Sequence, residues 1–486
     1  MTLPSPQNLI IILSDQHTRS MSGCYGHPLI RTPHLDALAA RGTRFANAYT
    51  NCPICVPARA SMATGRFVHQ TRHWDNAAPY CGEPVSWHHR VRDAGRQADS
   101  IGKLHFRSYD DDNGFSQEIE PLHVVEGVGD ILGCIRDNAP IRGNHGSFDT
   151  AGPGESTYID YDQRNADNAI KWIDQHANDA EPWVLFLSFV LPHPPYICPT
   201  NLYDLYPHGD LRLQPQWHRD DWPIHPAMRE FRRFFDFARG FDEALIRHLT
   251  ATYYGMITCL DRRIGQVFDA VTRCGLEDST RVLYTSDHGE SMGARGIFGK
   301  FTMYDESAAV PLIVAGPDVA RGKVVNTPVS LVDLFPTVID GIGIETKDED
   351  AALPGRSLWE TASEADHEAL VFSEYHAVGS RAGQYMLCDG HYKYVYYTGQ
   401  PPQLFDLHQD PRELRDIAPE SRHQARLGKF ERKLRDMVNP EETDGRAKAD
   451  QRARVEAFGG EAAVLSRGDF GNSPAPGETP RFVNRS

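Results

Sequence analysis

The chain has 486 residues and a formal net charge of −16, and 40% of its residues are hydrophobic. This length predicts one large and one smaller domain, because single hydrophobic cores stop growing at roughly 250–300 residues. The acidic balance argues against nucleic acid as a partner, since binding to a phosphate backbone depends on an excess of lysine and arginine.

No segment approaches the ~20 consecutive apolar residues that a membrane-spanning helix needs. Residues 1–7 carry no basic region, and the apolar run 9–13 is too short for a secretion signal, so this run is interpreted as a strand. Nine widely spaced cysteines, an odd number, do not indicate a disulfide framework. We therefore expect a cytoplasmic protein that makes no contact with a membrane.

Strand and helix patterns alternate through residues 1–370, which predicts an α/β domain. Its sheet is expected to be large, mixed and mostly parallel, with helices on both faces. One helix should begin at Thr32-Pro33 and end at Gly42, and a long amphipathic helix covers 245–273. The predicted strands are 8–14, 97–101, 183–190, 281–285 and 311–315.

Polar residues follow four of these strands, at the point where each strand ends. Because ligands of open α/β sheets bind beyond the carboxyl ends of the strands, we expect these residues to form one site. Taken singly, each has an ordinary structural interpretation, since aspartates often stabilise turns and lysines are often solvated. The residues are Asp15, Lys103 with His105, His193, and Asp287 with His288. Other histidines, such as His88 and His89, are interpreted as surface residues.

The pattern changes after residue 370, where a smaller α+β domain is predicted over 371–438. Two antiparallel strands are expected on either side of Asp389-Gly390, because Asp-Gly is a typical hairpin turn. A third strand and a charged helix follow. The predicted elements are strands 385–388, 392–397 and 404–407 and a helix around 422–438.

Residues 439–486 are polar and contain many Gly, Pro and Arg residues. This composition predicts an extended tail that is either loose or ordered against a neighbouring subunit. We therefore expect a homo-oligomer in which the tail contributes to self-association.

The segment Cys55-Val56-Pro57-Ala58-Arg59, followed by Thr64-Gly65-Arg66, is the strongest candidate for a nucleophilic site. Pro57 suits the first turn of a helix and Gly65 its end, which places Cys55 where backbone N–H groups favour negative charge. The other interpretations are a buried apolar thiol, or redox or zinc chemistry of the C-x-x-C at 52–55. No second Cys or His pair at metal spacing accompanies 52–55, so the nucleophile is favoured.

This segment resembles the sulfatase signature, C-x-P-x-R with a T-G-R ending. The resemblance continues in chain order over most of the sequence, except the tail, and implies a member of the sulfatase family within the alkaline phosphatase superfamily. The matching segments are 8–16, 32–36, 102–105, 286–290, 299–300, 304–311, 404–407 and 410–411.

In sulfatases a formylglycine-generating enzyme oxidises the signature cysteine to an aldehyde, which hydrates to a gem-diol. The resemblance implies that one diol hydroxyl at position 55 attacks sulfur and that the second then expels sulfate, a route that a serine sulfate lacks. The implied roles are diol contact by Arg59, charge neutralisation by Lys103, general base chemistry by His105, substrate contact by Asn76, and contact with sulfate or the leaving oxygen by His193 and Lys300.

Asp15-Gln16 and Asp287-His288 resemble the metal motifs of the family, and with the diol at Cys55 they would hold one divalent ion. Many sulfatases have a second Asp in place of Gln16 and an Asn in place of His288. The Asp-Gln and Asp-His forms resemble the branch of choline sulfatases and phosphonate monoester hydrolases. Both Ca²⁺ and Mn²⁺ therefore stay open.

The expected activity is that of an arylsulfatase-like sulfuric ester hydrolase acting on small aryl or alkyl sulfates. Choline sulfatases carry His and Asp where this chain has Leu191 and Pro194, which argues against choline sulfate itself. One alternative is a phosphonate monoester hydrolase or phosphodiesterase with the same nucleophile, and another is an inactive binding protein. Lys103 and His105 favour sulfate, because phosphonate hydrolases typically have uncharged hydroxyl-bearing residues there.

Overall fold

The computed structural model of the chain describes residues 7–142 and 146–483, with only the backbone at 146 and 147. The segment 1–6, which contributes to the expected absence of a secretion signal, lies outside the described residues. The strands in chain order are β1 (Asn8–Ser14), β2 (Thr43–Phe45), β3 (Ala48–Tyr49), β4 (Ala98–Lys103), β5 (Gln117–Leu122), β6 (Gly152–Pro153), β7 (Val184–Ser188), β8 (Ile197–Cys198), β9 (Thr280–Ser286), β10 (Leu312–Ala315), β11 (Lys323–Val325), β12 (Val329–Ser330), β13 (Val371–Tyr375), β14 (Gln384–Cys388), β15 (Tyr392–Tyr397) and β16 (Gln400–Asp406).

The α-helices surround a central sheet and a smaller C-terminal sheet. They are α1 (Pro33–Arg41), α2 (Cys55–Thr64), α3 (Val68–Thr71), α4 (Trp87–Asp93), α5 (Gly146–Asp149), α6 (Thr157–His176), α7 (Thr200–Tyr203), α8 (Pro226–Phe234), α9 (Glu243–Arg273), α10 (Asp305–Ala308), α11 (Leu334–Gly341), α12 (Leu358–Ser363), α13 (Gln424–Met437), α14 (Pro440–Ala457) and α15 (Glu461–Arg467).

The central sheet has eight strands in the order β11-β2-β10-β9-β1-β7-β4-β5. β9, β1, β7, β4 and β5 run parallel, whereas β10 is antiparallel to both of its neighbours. This confirms the predicted mixed, mostly parallel sheet. Because the central strands run in one direction, the residues that follow them meet at one edge of the sheet.

Both faces of the sheet are buried, which explains why β1 is a continuous apolar run rather than an alternating one. Ile10 and Ile12 enter one core cluster with residues of α1, α6 and α9. Leu9, Ile11 and Leu13 enter a second cluster with residues of α2, α4 and α11. The two-residue period of the strand thus distributes its side chains between the two helical layers.

The C-terminal sheet is antiparallel, with strand order β13-β14-β15-β16. The predicted hairpin is present, and the turn at Asp389-Gly390 joins β14 to β15 with Gly390 at a φ of 85°. Phe430 and Leu434 of α13 pack on this sheet and form a small core with Phe67 and Phe372. The predicted smaller C-terminal α+β unit is therefore confirmed, and it is a separate antiparallel sheet with a helix.

The polar tail differs from its prediction, because residues 440–457 form the helix α14 rather than an extended segment. Asn439 caps this helix by accepting a hydrogen bond from Glu442 N at 3.3 Å, and Pro440 occupies its first turn. The buried face is short and mostly polar, which is why a search for apolar periodicity misses it. Its members are Pro440, Thr443, Asp444, Ala447, Gln451 and Val455.

No helix in the described part of the chain is both long enough and apolar enough to cross a membrane.

Candidate functional site

The carboxyl ends of β1, β4 and β9 bring the predicted polar residues together. Asp15 follows β1, Lys103 ends β4 and Asp287 follows β9, and all three side chains are buried. The helix α2 begins at Cys55, as predicted, and aims its N-terminus at the same place. The edge of the sheet therefore holds the candidate nucleophile beside two carboxylates.

Four groups with metal-binding atoms converge here: Asp15, Cys55, Asp287 and His288 all lie within 4.8 Å of one another and are buried. His288 Nε2 is 3.1 Å from Cys55 Sγ, 3.6 Å from Asp287 Oδ1 and 3.8 Å from Asp15 Oδ1. Two carboxylates, one imidazole and the atom at position 55 form a donor set typical of a divalent cation site.

Hydrogen bonds hold both carboxylates of this cluster in place, and Asp287 Oδ1 accepts from Gln16 N at 3.1 Å and from His288 N at 3.0 Å. Arg59 binds the outer oxygens, with Nε 2.9 Å from Asp287 Oδ2 and Nη2 3.2 Å from Asp15 Oδ2. Lys103 Nζ also pairs with Asp15 Oδ2, at 2.6 Å. His288 donates from Nδ1 to Gly289 O at 3.1 Å, which leaves Nε2 as the ring nitrogen that faces the cluster. The residues present thus fit a bound divalent metal.

Gln16 and Lys300 lie next to the cluster and bind each other. Lys300 Nζ donates to Gln16 Oε1 at 2.7 Å and to Cys55 Sγ at 3.4 Å. Gln16 Nε2 donates in turn to Glu290. Glu290 has no assigned role in the sequence analysis, although it closes the matched segment 286–290. Its carboxylate also accepts from Gly299 N at 2.6 Å, which connects the Asp287 turn to Lys300.

The charges around Cys55 favour an anion at that position. Burial and Asp15 raise the pKa of the Cys55 thiol, but Lys300, His288 and Lys103 outweigh them and lower it below its usual value. For Lys300, burial lowers the pKa, whereas the charges of Cys55 and Asp15 raise it above the usual value. An oxyanion formed at position 55 would therefore face at least one fixed positive charge.

A cavity of about 390 Å³ opens above this cluster, a size suited to a small molecule. It is lined by the predicted residues Gln16, Cys55, Asn76, Lys103, His105, His193 and Lys300. Asn76 Oδ1 accepts from Val56 N at 3.1 Å, at the start of α2. The predicted site residues that do not line the cavity are Asp15, Arg59, Asp287 and His288, which form the layer beneath it.

The two histidines of the cavity are held neutral by their surroundings. Burial and the charges of Lys103 and Arg59 lower the pKa of His105 well below its usual value. Burial and Lys300 do the same for His193, whose Nδ1 donates to Pro194 O at 2.7 Å. A neutral imidazole beside fixed cations can accept a proton.

The outer wall of the cavity consists of residues that the sequence analysis did not identify. Arg142 donates to both oxygens of Asp130, at 2.6 and 2.8 Å, and to both oxygens of Asp469, at 2.8 and 3.0 Å. Phe235 and Phe301 stack with ring centroids 4.8 Å apart. These residues belong to loops and to the C-terminal segment, where no motif or strand end marks them. The outer wall is defined by Asp130, Arg142, Phe235, Phe301, Val378 and 469–473.

His88 and His89, which the sequence analysis interprets as surface residues, are buried. The ring of His88 stacks on Phe115 at 3.9 Å, and its Nδ1 is 2.9 Å from Asn113 O. Both histidines lie on α4, which packs against the sheet, so the correction follows from the position of that helix.

Comparison with known proteins gives two family matches. The family model described as sulfatase matches residues 7–344, and the model described as N-sulphoglucosamine sulphohydrolase, C-terminal, matches residues 293–440. Together they cover the central sheet, the small C-terminal sheet and α13.

Individual proteins show the same similarity. The chain is 33% identical to the choline-sulfatase of Rhizobium meliloti (strain 1021), over 87% of this chain and 84% of that protein. It is 30% identical to arylsulfatase K of Homo sapiens, over 85% of this chain and 78% of that protein. Among solved structures, the phosphonate monoester hydrolase of Silicibacter pomeroyi has a TM-score of 0.72 and 25% identity, covering 89% of this chain and 95% of that one.

Proposed function

The chain belongs to the sulfatase family and is a sulfuric ester hydrolase, and on this premise we propose that it hydrolyses sulfate monoesters with small aryl or alkyl leaving groups. The observation that carries the proposal is the shared cavity: Lys103 and Lys300 line it together with Cys55. A sulfate ester brings its negative charge to a place where two buried cations are already fixed.

Position 55 would carry formylglycine, made from Cys55 by a formylglycine-generating enzyme. The hydrated aldehyde supplies a nucleophilic oxygen for sulfur and a second hydroxyl for the release of sulfate. Its support here is the position of Cys55 at the N-terminus of α2, with Lys300 Nζ 3.4 Å from Sγ. Arg59 is held by two carboxylates, so its contribution would be to orient Asp15 and Asp287.

A divalent metal would be held by Asp15, Asp287, His288 and the oxygen at position 55, with Gln16 next to them. The ion would supply a Lewis acid that lowers the pKa of an oxygen ligand and withdraws charge from sulfate. A donor set of carboxylates with one imidazole admits both Ca²⁺ and Mn²⁺, and the nitrogen ligand favours Mn²⁺.

The remaining side chains would neutralise the charge of sulfate, transfer a proton and orient the ester. Lys103 and Lys300 neutralise the non-bridging oxygens of sulfate, where charge grows during transfer. His105, neutral at the cavity wall, accepts a proton from the nucleophile, and His193 lies where it can contact sulfate or the leaving oxygen. Asn76, fixed by Val56 N, would orient the ester.

The leaving group would occupy the space bounded by the outer wall. Phe235, Phe301 and Val378 give that space apolar surface, and Arg142 is bound by the carboxylates of Asp130 and Asp469, which leaves the three with a formal charge of −1. An aromatic or short aliphatic group fits such a surface better than an anionic one. We do not propose choline sulfate as the substrate, although one relative is named choline-sulfatase. Choline sulfatases carry His and Asp where this chain has Leu191 and Pro194, which lack polar side chains.

Phosphonate monoester hydrolysis is the second candidate, supported by the solved phosphonate monoester hydrolase with a TM-score of 0.72. The same nucleophile and metal would serve both reactions, so the surrounding cations decide between them. Lys103 and His105 favour sulfate, because the phosphonate hydrolases that the sequence resembles typically have uncharged hydroxyl-bearing residues at these positions.

The test compares kcat/KM for a nitrophenyl sulfate and the matching phenylphosphonate monoester, using protein co-expressed with a formylglycine-generating enzyme. Mass spectrometry of the peptide containing Cys55 is the accompanying control, because it gives the fraction of converted protein. We expect a preference for the sulfate after correction for leaving-group reactivity. A preference for the phosphonate would promote the second candidate, and full activity with an unmodified thiol would end the formylglycine proposal.

We also propose a homo-oligomer in the cytoplasm. The support for self-association is the polar composition of residues 439–486, several of which remain exposed on α14 and α15. Light scattering on the full chain measures the mass directly, and a mass equal to one chain would contradict this proposal.

A further inference from the structure

His105, the proposed general base, is bound by a residue from the far end of the chain. His105 Nε2 lies 2.9 Å from the hydroxyl oxygen of Ser473, although 368 residues separate them in sequence. The other ring nitrogen, Nδ1, is buried and has no hydrogen-bond partner among the described residues. Both residues line the cavity above Cys55. Nε2 is therefore hydrogen-bonded to Ser473, whereas Nδ1 makes no hydrogen bond with the described residues.

Ser473 is itself held in place from several sides. Its carbonyl oxygen accepts a hydrogen bond from the hydroxyl of Tyr158, and the Tyr158 ring makes an edge contact with His193 at 6.2 Å. Two residues further on, Ala475 is buried in a small core with Tyr158 and Val190. The backbone that bears the Ser473 hydroxyl is therefore fixed by packing and hydrogen bonds.

The segment is also clamped upstream of Ser473. Asp469 is bound by Arg142, which holds Asp130 with its other donors. Asp469 further exchanges two backbone hydrogen bonds with Val483, at 3.0 and 2.7 Å. These contacts keep 469–483 folded across the cavity, so that the C-terminal segment completes the wall beside His105.

Resting on the proposed function, we infer that Ser473 is a positioning residue that fixes the orientation and tautomer of His105. A neutral imidazole carries one proton, and a base needs its reacting nitrogen bare. Because Nδ1 has no acceptor among the described residues, a proton there would be a buried donor without a partner, so we assign the contact as Nε2–H donating to Ser473 Oγ. In this assignment the proton stays on Nε2 and Nδ1 keeps its lone pair. The hydroxyl still accepts from Nε2–H after Nδ1 has taken up a proton, so it supports both states of the base.

The kinetic test uses Ser473→Ala and Ser473→Thr, with Thr479→Ala as the matched control, because Thr479 carries a hydroxyl in the same segment but is exposed. We expect kcat for a nitrophenyl sulfate to fall about tenfold or more in Ser473→Ala, as for other residues that orient a reacting group, with KM within about twofold. Ser473→Thr should recover most of kcat, and Thr479→Ala should equal wild type.

Formylglycine content and bound metal are measured in each variant, so that a loss of kcat is assigned to the base rather than to the nucleophile. Unchanged kcat in Ser473→Ala overturns the inference. So does a rise in KM alone, which would mean that Ser473 contacts the substrate, or a failure of Ser473→Thr to restore kcat. A wild type inactive on sulfates would instead reject the proposed function.

A spectroscopic readout tests the tautomer independently of activity. Long-range ¹⁵N–¹H correlation spectra distinguish a proton on Nε2 from one on Nδ1, and His105→Gln identifies the His105 signal by its loss. We expect the Nε2–H tautomer in wild type and a mixture of tautomers in Ser473→Ala. A wild-type proton on Nδ1, or identical spectra in the two proteins, would overturn the inference.

Discussion

The buried floor and the outer wall of the cavity are built by different physical means. Ion pairs and charged hydrogen bonds hold the floor together. Its members are Asp15, Cys55, Arg59, Lys103, Asp287, His288 and Lys300. In the wall, Arg142 is bound between Asp130 and Asp469, and Phe235, Phe301 and Val378 supply apolar surface.

Under the proposed function, this difference separates chemistry from selectivity. Fixed charges in the buried floor would act on the charge that develops on the sulfate and leaving-group oxygens, so changes there should lower kcat. Apolar wall contacts form in the ground state and persist in the transition state, so changes there should alter KM. Substitutions in the floor should therefore have larger effects on kcat than substitutions in the wall.

The largest effect is expected from Cys55→Ala, which removes the proposed nucleophile. Activity should fall on the order of 10⁴-fold or more, because losing a nucleophile removes the whole covalent route. The assay is hydrolysis of a nitrophenyl sulfate, and Cys81→Ala, a partly exposed cysteine, is the control that should keep wild-type activity. Retained activity in Cys55→Ala would show that position 55 is not the nucleophile and that the buried floor is not the reaction site.

Asp287→Asn should come next, with loss of bound metal and a fall in kcat of more than ~100-fold. The neutral amide attracts a cation less strongly and also leaves Arg59 with one carboxylate fewer, and even indirect changes at metal sites typically cost ~10–100-fold. Elemental analysis gives the metal content, with the exposed Asp174→Asn as the control. Stoichiometric metal in Asp287→Asn would contradict the ligand assignment.

Lys103→Ala tests whether the floor selects sulfate. We expect kcat/KM for the nitrophenyl sulfate to fall roughly 10²–10³-fold, the size found for removing one preorganised group that stabilises charge. The phenylphosphonate monoester should lose less, so the preference between substrates narrows. Lys171→Ala changes an exposed lysine and serves as the control. An equal loss on both substrates would mean that Lys103 does not discriminate between them.

Phe235→Ala should have the smallest effect, and that effect should be on substrate binding rather than on kcat. Loss of its stacking with Phe301 and of its surface in the wall should raise KM for aryl sulfates about 3–10-fold, with kcat within about twofold, because an aromatic contact is worth ~0.5–1.5 kcal/mol. A small alkyl sulfate should be nearly unaffected. If kcat falls instead, the distinction between floor and wall is wrong.

Much of the floor could be predicted from the sequence, because its residues follow local signals. β1 was predicted at the bounds that it has, and the helix at Cys55 was predicted from Pro57 and Gly65. Parallel strands then place Asp15, Lys103 and Asp287 at one edge. Short-range periodicity and helix-end chemistry are encoded within a few residues, so they are visible without the rest of the chain.

The wall and the tail were decided only by the tertiary structure. Asp130, Arg142 and Asp469 meet through contacts between distant segments, and no spacing in the sequence marks such a meeting. The helix α14 was missed because its buried face includes polar residues such as Thr443 and Gln451. Gln451 is hydrogen-bonded to Asp75 at 2.7 Å, so its burial does not depend on apolar contact.

The sequence by itself therefore determined the fold class, the family and which buried polar groups meet beside Cys55 at the edge of the sheet. The tertiary structure alone decided which residues form the outer wall and that Ser473 binds His105. The physical reason is range: backbone periodicity and turn chemistry act over a few residues, whereas a hydrogen bond across 368 residues exists only after two surfaces have packed together.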